Sequence, residues 1–389
     1  MHHRTVLISG GGIAGTTLAH GLARRGFAPT VVERAAGARS SGSPVDVRGP
    51  AVEVAEDMGV MRQLRDAATR VERLTFVDGG GRPRGGLPLG AFAHDADRAV
   101  ELPRADLAAI LYGAVRDDVE YVADDSISTL EQDPHGVDVT FERGAPRRFD
   151  LVVGADGLHS NVRRLVFGPE RRYVRHLGMY VATLPLGRPA ESPYEVLTYN
   201  SPNKAVSLHP GRGSALVAFM VRRREVTGFD YRDVAQHRRL LREAFAGEAW
   251  RTPEFLQRLE EVPDPDLYFD AVSRVRLDRW SQGRVALLGD AASCVSLFGD
   301  GSSLAMAGAA TLAAELAASS GDHRAALSRY EAAHRRLATP KQRQMTAASR
   351  LLVPATRAGI GARNAATRVW AAAAGVRGGA RRSAAVGGG

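Results

Sequence analysis

Val6–Gly15 reads VLISGGGIAG: a short β-prone run, then a glycine cluster, then helix formers. Gly10, Gly12 and Gly15 fit the spacing GxGxxG. The helical run continues from Ala14 to Gly26, and a second β-rich run, Pro29–Glu33, ends on a carboxylate. Strand, helix and strand within ~30 residues make a βαβ unit, the opening of a parallel sheet. Gly10 permits the tight turn, Gly12 lets the backbone approach a pyrophosphate, and Gly15 lets helix and strand close up. Ile13 and Ala14 open a helix whose free N–H groups favour phosphate. Glu33 can accept from both ribose hydroxyls of an adenosine and would repel a 2′-phosphate. The ligand expected here is FAD or NAD rather than NADP.

The strand–glycine–helix pattern returns at Gly283–Leu304, GRVALLGDAASCVSLFGDGSSL. Asp290 follows Gly289 at a strand end, where a carboxylate accepts from a polyol hydroxyl. Gly299–Ser303 then opens an alanine-rich helix from about Ser302 to Ser319. Its N–H groups would stabilise negative charge, such as a reduced flavin carries at its N1/C2 carbonyl edge. No acidic ribose-binding residue follows a second strand here. The two stretches therefore read as the two ends of one FAD, adenine end at Gly10–Glu33, ribitol and ring at Asp290–Ser303.

At 389 residues and 44% hydrophobic content, the chain suggests two soluble domains. No apolar run approaches the ~20 residues that span a membrane, and MHHR leads into a strand with no secretory signal. The lone Cys294 precludes an intramolecular disulfide and fits a reducing, cytoplasmic setting. The net charge of +9 belongs to the tail, which carries eleven arginines and lysines after His334 and no acid. Trp370 is the only aromatic among them and no recognition motif accompanies them, so no nucleic-acid partner is expected. No metal cluster is expected either.

Between the two glycine stretches the pattern changes. Leu74–Asp78 and Gly85–Leu89 read as a hairpin, and Arg104–Val115 as a helix. Ser126–Gln132 and Gly136–Glu142 flank an Asp-Pro-His-Gly turn. Tyr194–Tyr199, Ala205–His209 and Ala215–Val221 read as antiparallel strands, followed by helices and another strand at Leu267–Val275. Ala325–Arg336 and Arg343–Leu352 read as two helices, and the last dozen residues as disordered. A third glycine motif, Gly154–Arg163, GADGLHSNVR, follows a strand at Asp150–Val153.

GGGIAG with Glu33, GADGLHSNVR, and GDAA followed by GDGSSLA, in that order, resemble the FAD-dependent aromatic hydroxylases related to para-hydroxybenzoate hydroxylase. The chain looks most like the tetracycline-modifying and natural-product tailoring monooxygenases, over about residues 5–335. The resemblance implies an α/β fold: a Rossmann-like FAD-binding domain (GR2-type) with an inserted, mainly antiparallel substrate domain and a C-terminal helical tail. The segments would be 1–70, 101–170 and 276–335 for FAD, 71–100 and 171–275 for substrate, and 336–389 for the tail.

By the same resemblance, Gly10, Gly12, Ile13, Ala14, Gly15, Glu33 and Arg34 would hold the adenosine and pyrophosphate end, with Arg39 and Asp46 as further contacts. Arg104 would bind FAD from a helix start, and Asp156 would lie near the pyrophosphate. Gly289 and Asp290 would meet the ribitol, and Gly301, Ser302 and Ser303 the ring edge. The chain departs from the family pattern at Ser293, where histidine is frequent, at Ser296-Leu297, where a proline is usual, and at Ser303, where asparagine is usual.

The implied activity is hydroxylation of an aromatic or polyketide-like small molecule through a C4a-hydroperoxyflavin, with O2 and NADPH or NADH as transient electron donor. Arg48, His209, Phe219 and Leu297 are candidate substrate contacts, with Tyr199, Val217 and Val221 alongside, although the last two and Phe219 equally fit a domain core. No general base is named. The alternatives are a flavin-dependent dehydrogenase or oxidase on the same scaffold, or a non-enzymatic FAD-binding redox regulator. The protein is expected to be a monomer or homodimer. A tail helix over Thr356–Gly375 is expected to pack Val369 and Trp370 against the FAD domain.

Overall fold

The structure, a computed structural model, describes residues 5–36, 43–88, 98–294 and 300–386, the side chains of 346–348 and 372–386 excepted. It divides into two compact units, Met1–Ala68 with Asp97–Leu177 and Val272–Thr346, and Thr69–Ala96 with Gly178–Ala271 and Ala347–Gly389.

The first unit is built on a six-stranded sheet in the order Ser281–Gln282, Val285–Leu287, Leu151–Gly154, Thr5–Ser9, Ala28–Glu33, Glu120–Ala123. Every pairing is parallel except the first. The inner strands are near-continuous apolar runs because both faces are covered; Val6, Leu7 and Ile8 are fully buried. Parallel strands end on the same side. The order therefore sets Gly289-Asp290, Gly154–Asp156, Gly10–Gly12 and Glu33 along one carboxyl edge, where open α/β sheets bind ligands. A three-stranded antiparallel sheet (Ile127–Gln132, Val137–Phe141, Arg147–Phe149) completes this unit with the pair Pro44–Val47 and Val100–Pro103. The Asp133 carboxylate accepts from the N–H groups of His135 and Gly136 at 2.6 and 2.9 Å, which closes the hairpin.

Helix Ile13–Ala23 packs on helix Asp300–Ala318; a Cβ on Gly21 would stand 2.9 Å from that of Ala313. The final long helix of this part, His323–Leu352, is continuous, where the sequence suggests two helices with a break between. Pro340 lies inside it, because the buried stripe Leu327, Tyr330, His334, Ala338, Met345 runs through that point and holds the turns together.

A seven-stranded sheet carries the second unit, in the order Tyr268–Val275, Val174–Pro185, Leu216–Arg222, Lys204–His209, Glu195–Ser201, Arg73–Val77, Pro83–Pro88. It is mixed rather than strictly antiparallel: Glu195–Ser201 runs parallel to Arg73–Val77. A parallel pair needs a long crossover, and these strands are separated by a passage through the first unit. Helices Val234–Phe245 and Thr252–Glu261 bury Leu241, Phe245, Phe255 and Leu259 in a core with Tyr180, Leu184, Val217 and Phe219.

The tail departs from expectation twice. Residues 336–389 do not form a separate segment but divide between the two units, and a helix extends over Arg357–Val386 into the stretch expected to be disordered. That helix packs within the second unit, against strands Pro83–Pro88 and Glu195–Ser201. Its inward residues are Arg363, Asn364 and Thr367, while Val369 is 71% exposed and Trp370 37%. Arg363 lies 3.5 Å over the Phe76 ring and donates to Asn200 Oδ1 at 2.8 Å and to the Leu351 and Leu352 carbonyls. Burial lowers its pKa to about 10. Gly85 admits the helix, since a Cβ there would lie 2.4 Å from Thr367 Oγ1. No described helix is long and apolar enough to cross a membrane.

Candidate functional site

Gly10 has φ +106°, and a Cβ on it would meet the backbone of Ala155 at 2.5 Å. The first glycine loop thus lies against the GADG turn. Gly15 faces the Gly10 carbonyl oxygen at 1.9 Å from its would-be Cβ, which permits no side chain. Gly12, by contrast, faces open space at the start of Ile13–Ala23, a helix with no side-chain cap and no acid in its first turn. Its first N–H groups are therefore offered outward. Glu33 is held in place by backbone donors: Gly11 N–H to Oε2 at 2.8 Å and Ala35 N–H to Oε1 at 2.9 Å. Each oxygen keeps a lone pair for a ligand hydroxyl.

One neighbour of this loop escapes the sequence reading. A Cβ on Gly11 would lie 2.0 Å from the Tyr121 hydroxyl, so this middle glycine is required by the strand beside Glu33. Burial, with Glu33 and Tyr112 nearby, pushes the Tyr121 hydroxyl up to about 12. Nothing in local spacing points to that contact.

In the second motif, Asp156 accepts from Ser160 Oγ and from the Val162 N–H at 3.0 Å. Burial raises its carboxyl pKa. These bonds tie the carboxylate into its own turn rather than leaving it wholly for a pyrophosphate-side contact. Ser160 caps the helix Asn161–Val166 by accepting from the Arg163 N–H. Arg163 is fully buried and donates to the Ala291 carbonyl at 3.0 Å, the Leu158 carbonyl at 2.5 Å and Glu170 at 3.3 Å. Burial lowers its pKa, offset by Glu170 and Asp156. It fastens the second motif to the third.

In the third motif Gly289, at φ +62°, would carry a Cβ only 3.0 Å from that of Ala14. Asp290 opens the short helix Asp290–Ser293. A narrow cleft beside it is lined by Gly289, Asp290, Ser293, Gly301, Leu304, Ala305 and His334. Ser302 and Ser303 donate their hydroxyls to the Asp46 carbonyl at 2.8 and 2.7 Å, so these side chains tie strand Pro44–Val47 to the helix start. Burial raises the Asp46 carboxyl pKa.

His334 is fully buried, flanked by Trp280 and Tyr330, and neither ring nitrogen meets a hydrogen-bond partner among the described residues. Burial lowers its pKa to about 4, so the imidazole is neutral. Gly308 makes room for it, since a Cβ there would be 2.9 Å from Nε2.

Arg34 donates to Ser126 Oγ at 3.1 Å, and the exposed Arg104 opens helix Arg104–Gly113 with its N–H on the Ser43 carbonyl. Arg39 and Leu297 lie outside the described residues. Of the substrate candidates, Arg48 is paired with Asp300. Phe219 and Val217 follow the core alternative: both are buried in the second unit's core, where Phe219 meets the Phe245 ring edge-on at 5.0 Å. Tyr199 donates to Glu248 at 3.4 Å. His209 stands at a strand end with its imidazole held neutral by burial, pKa about 4.

Open space at Gly12, an uncapped helix behind it, an anchored Glu33 and an unpartnered polar ring in the cleft at Gly301 together fit a long dinucleotide. Known proteins agree. The FAD binding domain family matches residues 3–344. A flavin-dependent monooxygenase of Legionella longbeachae is 35% identical over 341 residues, 87% of this chain and 87% of that one. The chain belongs to this family of FAD-dependent monooxygenases. An uncharacterised protein of Mycobacterium tuberculosis is 42% identical to this chain over 338 residues, 85% of this chain and 89% of that one. Among solved structures, the tetracycline destructase Tet(55) matches this chain with a TM-score of 0.81 at 31% identity, covering 94% of this chain and 95% of that one.

Proposed function

We propose that the chain hydroxylates an aromatic or polyketide-like small molecule with fused rings, taking electrons transiently from NADPH or NADH and oxygen from O2. The observation that carries this reading is the single carboxyl edge shared by the three glycine turns and Glu33, with helices Ile13–Ala23 and Asp300–Ala318 packed together behind it. FAD, when bound, supplies the redox and oxygen-transfer chemistry. The chain's residues bind and orient it. Glu33 accepts from ribose hydroxyls; Gly12, Ile13 and Ala14 present N–H groups to phosphate, while Gly10, whose N–H donates to the Val32 carbonyl, and Gly15 shape the loop; Asp290 accepts from the polyol; Gly301–Ser303 offer backbone N–H groups to the ring edge. The name of Tet(55), a tetracycline destructase, favours a polycyclic phenol as substrate.

The test is a visible spectrum of the purified protein, then anaerobic titration with NADPH and NADH across a panel of polycyclic phenols. Flavin that bleaches faster in the presence of one phenol supports the reading and points to the substrate class. Flavin indifferent to both nicotinamides but bleached by a substrate itself would favour a dehydrogenase or oxidase.

A further inference from the structure

Helix Asp300–Ala318 begins on a carboxylate held by two cations from different segments. Asp300 Oδ1 accepts from Arg48 Nε at 3.0 Å and Nη2 at 2.5 Å, and Oδ2 lies 3.3 Å from Lys341 Nζ. Asp46 Oδ2 stands 3.5 Å from Arg48 Nη1. Arg48 also donates its N–H to Ser303 Oγ at 3.1 Å. The acid side chains are the better shielded, Asp300 at 16% and Asp46 at 23% exposure, against 30% for Arg48 and 41% for Lys341.

This arrangement has an electrostatic consequence. An acid in the first turn complements the helix dipole. It also places a full negative charge next to Gly301, on the cleft where the helix start would otherwise offer positive potential to a ligand. Arg48 and Lys341 cancel that charge. A second observation pointing to a ligand here is the fully buried His334, which lines the same cleft with neither ring nitrogen partnered among the described residues. Because one partner of Asp300 is a half-exposed lysine, the cancellation is adjustable without dismantling the core.

We propose that the Arg48–Asp300–Lys341 network tunes the reduction potential of the flavin, by setting how strongly the Gly301 turn favours the electron-rich, reduced ring over the oxidised one. This rests on the reading that Gly301–Ser303 meets the ring edge. Lys341 is a tuning residue that acts through Asp300. Removing its charge leaves Asp300 less compensated and disfavours the reduced form; removing the charge of Asp300 does the reverse.

The test is the midpoint potential of the FAD-loaded protein, measured anaerobically against a reference dye, with FAD affinity measured by fluorescence. Lys341→Met is expected to lower the preference for reduced flavin about tenfold, a fall of about 30 mV for a two-electron couple. Asp300→Asn is expected to raise the potential, and Lys341→Arg to hold it near the wild-type value. A purely structural role would not give shifts of opposite sign. FAD-loaded Lys341→Met and Asp300→Asn proteins with the wild-type potential would overturn the proposal alone. A wild-type protein that takes up no FAD would overturn the site reading beneath it, and the proposal with it.

Discussion

Gly289 and Ala14, one from the GDAA turn and one from the first glycine loop, lie so close that a Cβ on Gly289 would stand 3.0 Å from that of Ala14. The two motifs are far apart in sequence, yet their backbones meet at the sheet edge. A ligand held by one is within the reach of the other. Gly289 also has φ +62°, which L side chains adopt at a cost. Gly289→Val is expected to lose about 1–3 kcal/mol of stability and to lower FAD retention. Thermal melts with and without added FAD check this.

Gly11 and Tyr121 form a second such contact, at 2.0 Å from the would-be Cβ to the hydroxyl. Gly11→Ala is expected to push the loop off Tyr121, loosen the Gly11 N–H bond to Glu33 and weaken FAD binding about tenfold. Combining it with Tyr121→Ala should recover most of the affinity. A double variant no better than Gly11→Ala would show that the collision is not the cause.

The buried Arg163 bridges the second and third motifs through the Ala291 and Leu158 carbonyls and Glu170. Arg163→Met strands these acceptors, and a loss of about 3 kcal/mol is expected in urea unfolding. Arg163→Lys is expected to recover little, because one ammonium cannot replace the planar fork.

His334 gives a pH dependence of definite sign. Its folded pKa of about 4 lies below the ordinary imidazole value of 6.5, so the unfolded chain binds the proton more readily. Its neutral form favours folding fully above pH 6.5, and stability falls as pH drops from there toward 4. At pH 5 the loss from this residue is about 2 kcal/mol. His334→Leu should lose less stability between pH 7.5 and pH 5 than the wild type, measured by urea unfolding at both. Equal losses in the two proteins would assign the acid sensitivity elsewhere, with His209 the next group to examine.

For the tail, Arg363→Ala is expected to remove the cation–π contact with Phe76 and three carbonyl- or amide-directed bonds, at about 2 kcal/mol. Val369→Ser, at an exposed position, should change the melting temperature little. Deleting residues 353–389 should lower it clearly, and an unchanged melt would refute a structural role for the helix.

Much of this protein is written in local sequence. A glycine that must take positive φ, or that must lie against another backbone, is visible as a glycine after a strand; Gly10, Gly15 and Glu33 were readable for that reason. So was the parallel sheet, because strands covered on both faces are apolar throughout. The contacts of Tyr121, Arg163 and His334 were not readable. Each depends on which strands and helices become neighbours, and an aromatic, a charged or a titratable side chain looks the same in sequence whether it is solvated or enclosed. The same reason explains the tail. Apolarity pointed to Val369 and Trp370, but the surface available was a sheet edge opened by Gly85 and paved by Phe76, and a planar guanidinium fitted it better. Sequence alone determined which turns can be made; the tertiary structure decided which of them meet, because that is set by packing between segments that carry no local mark of one another.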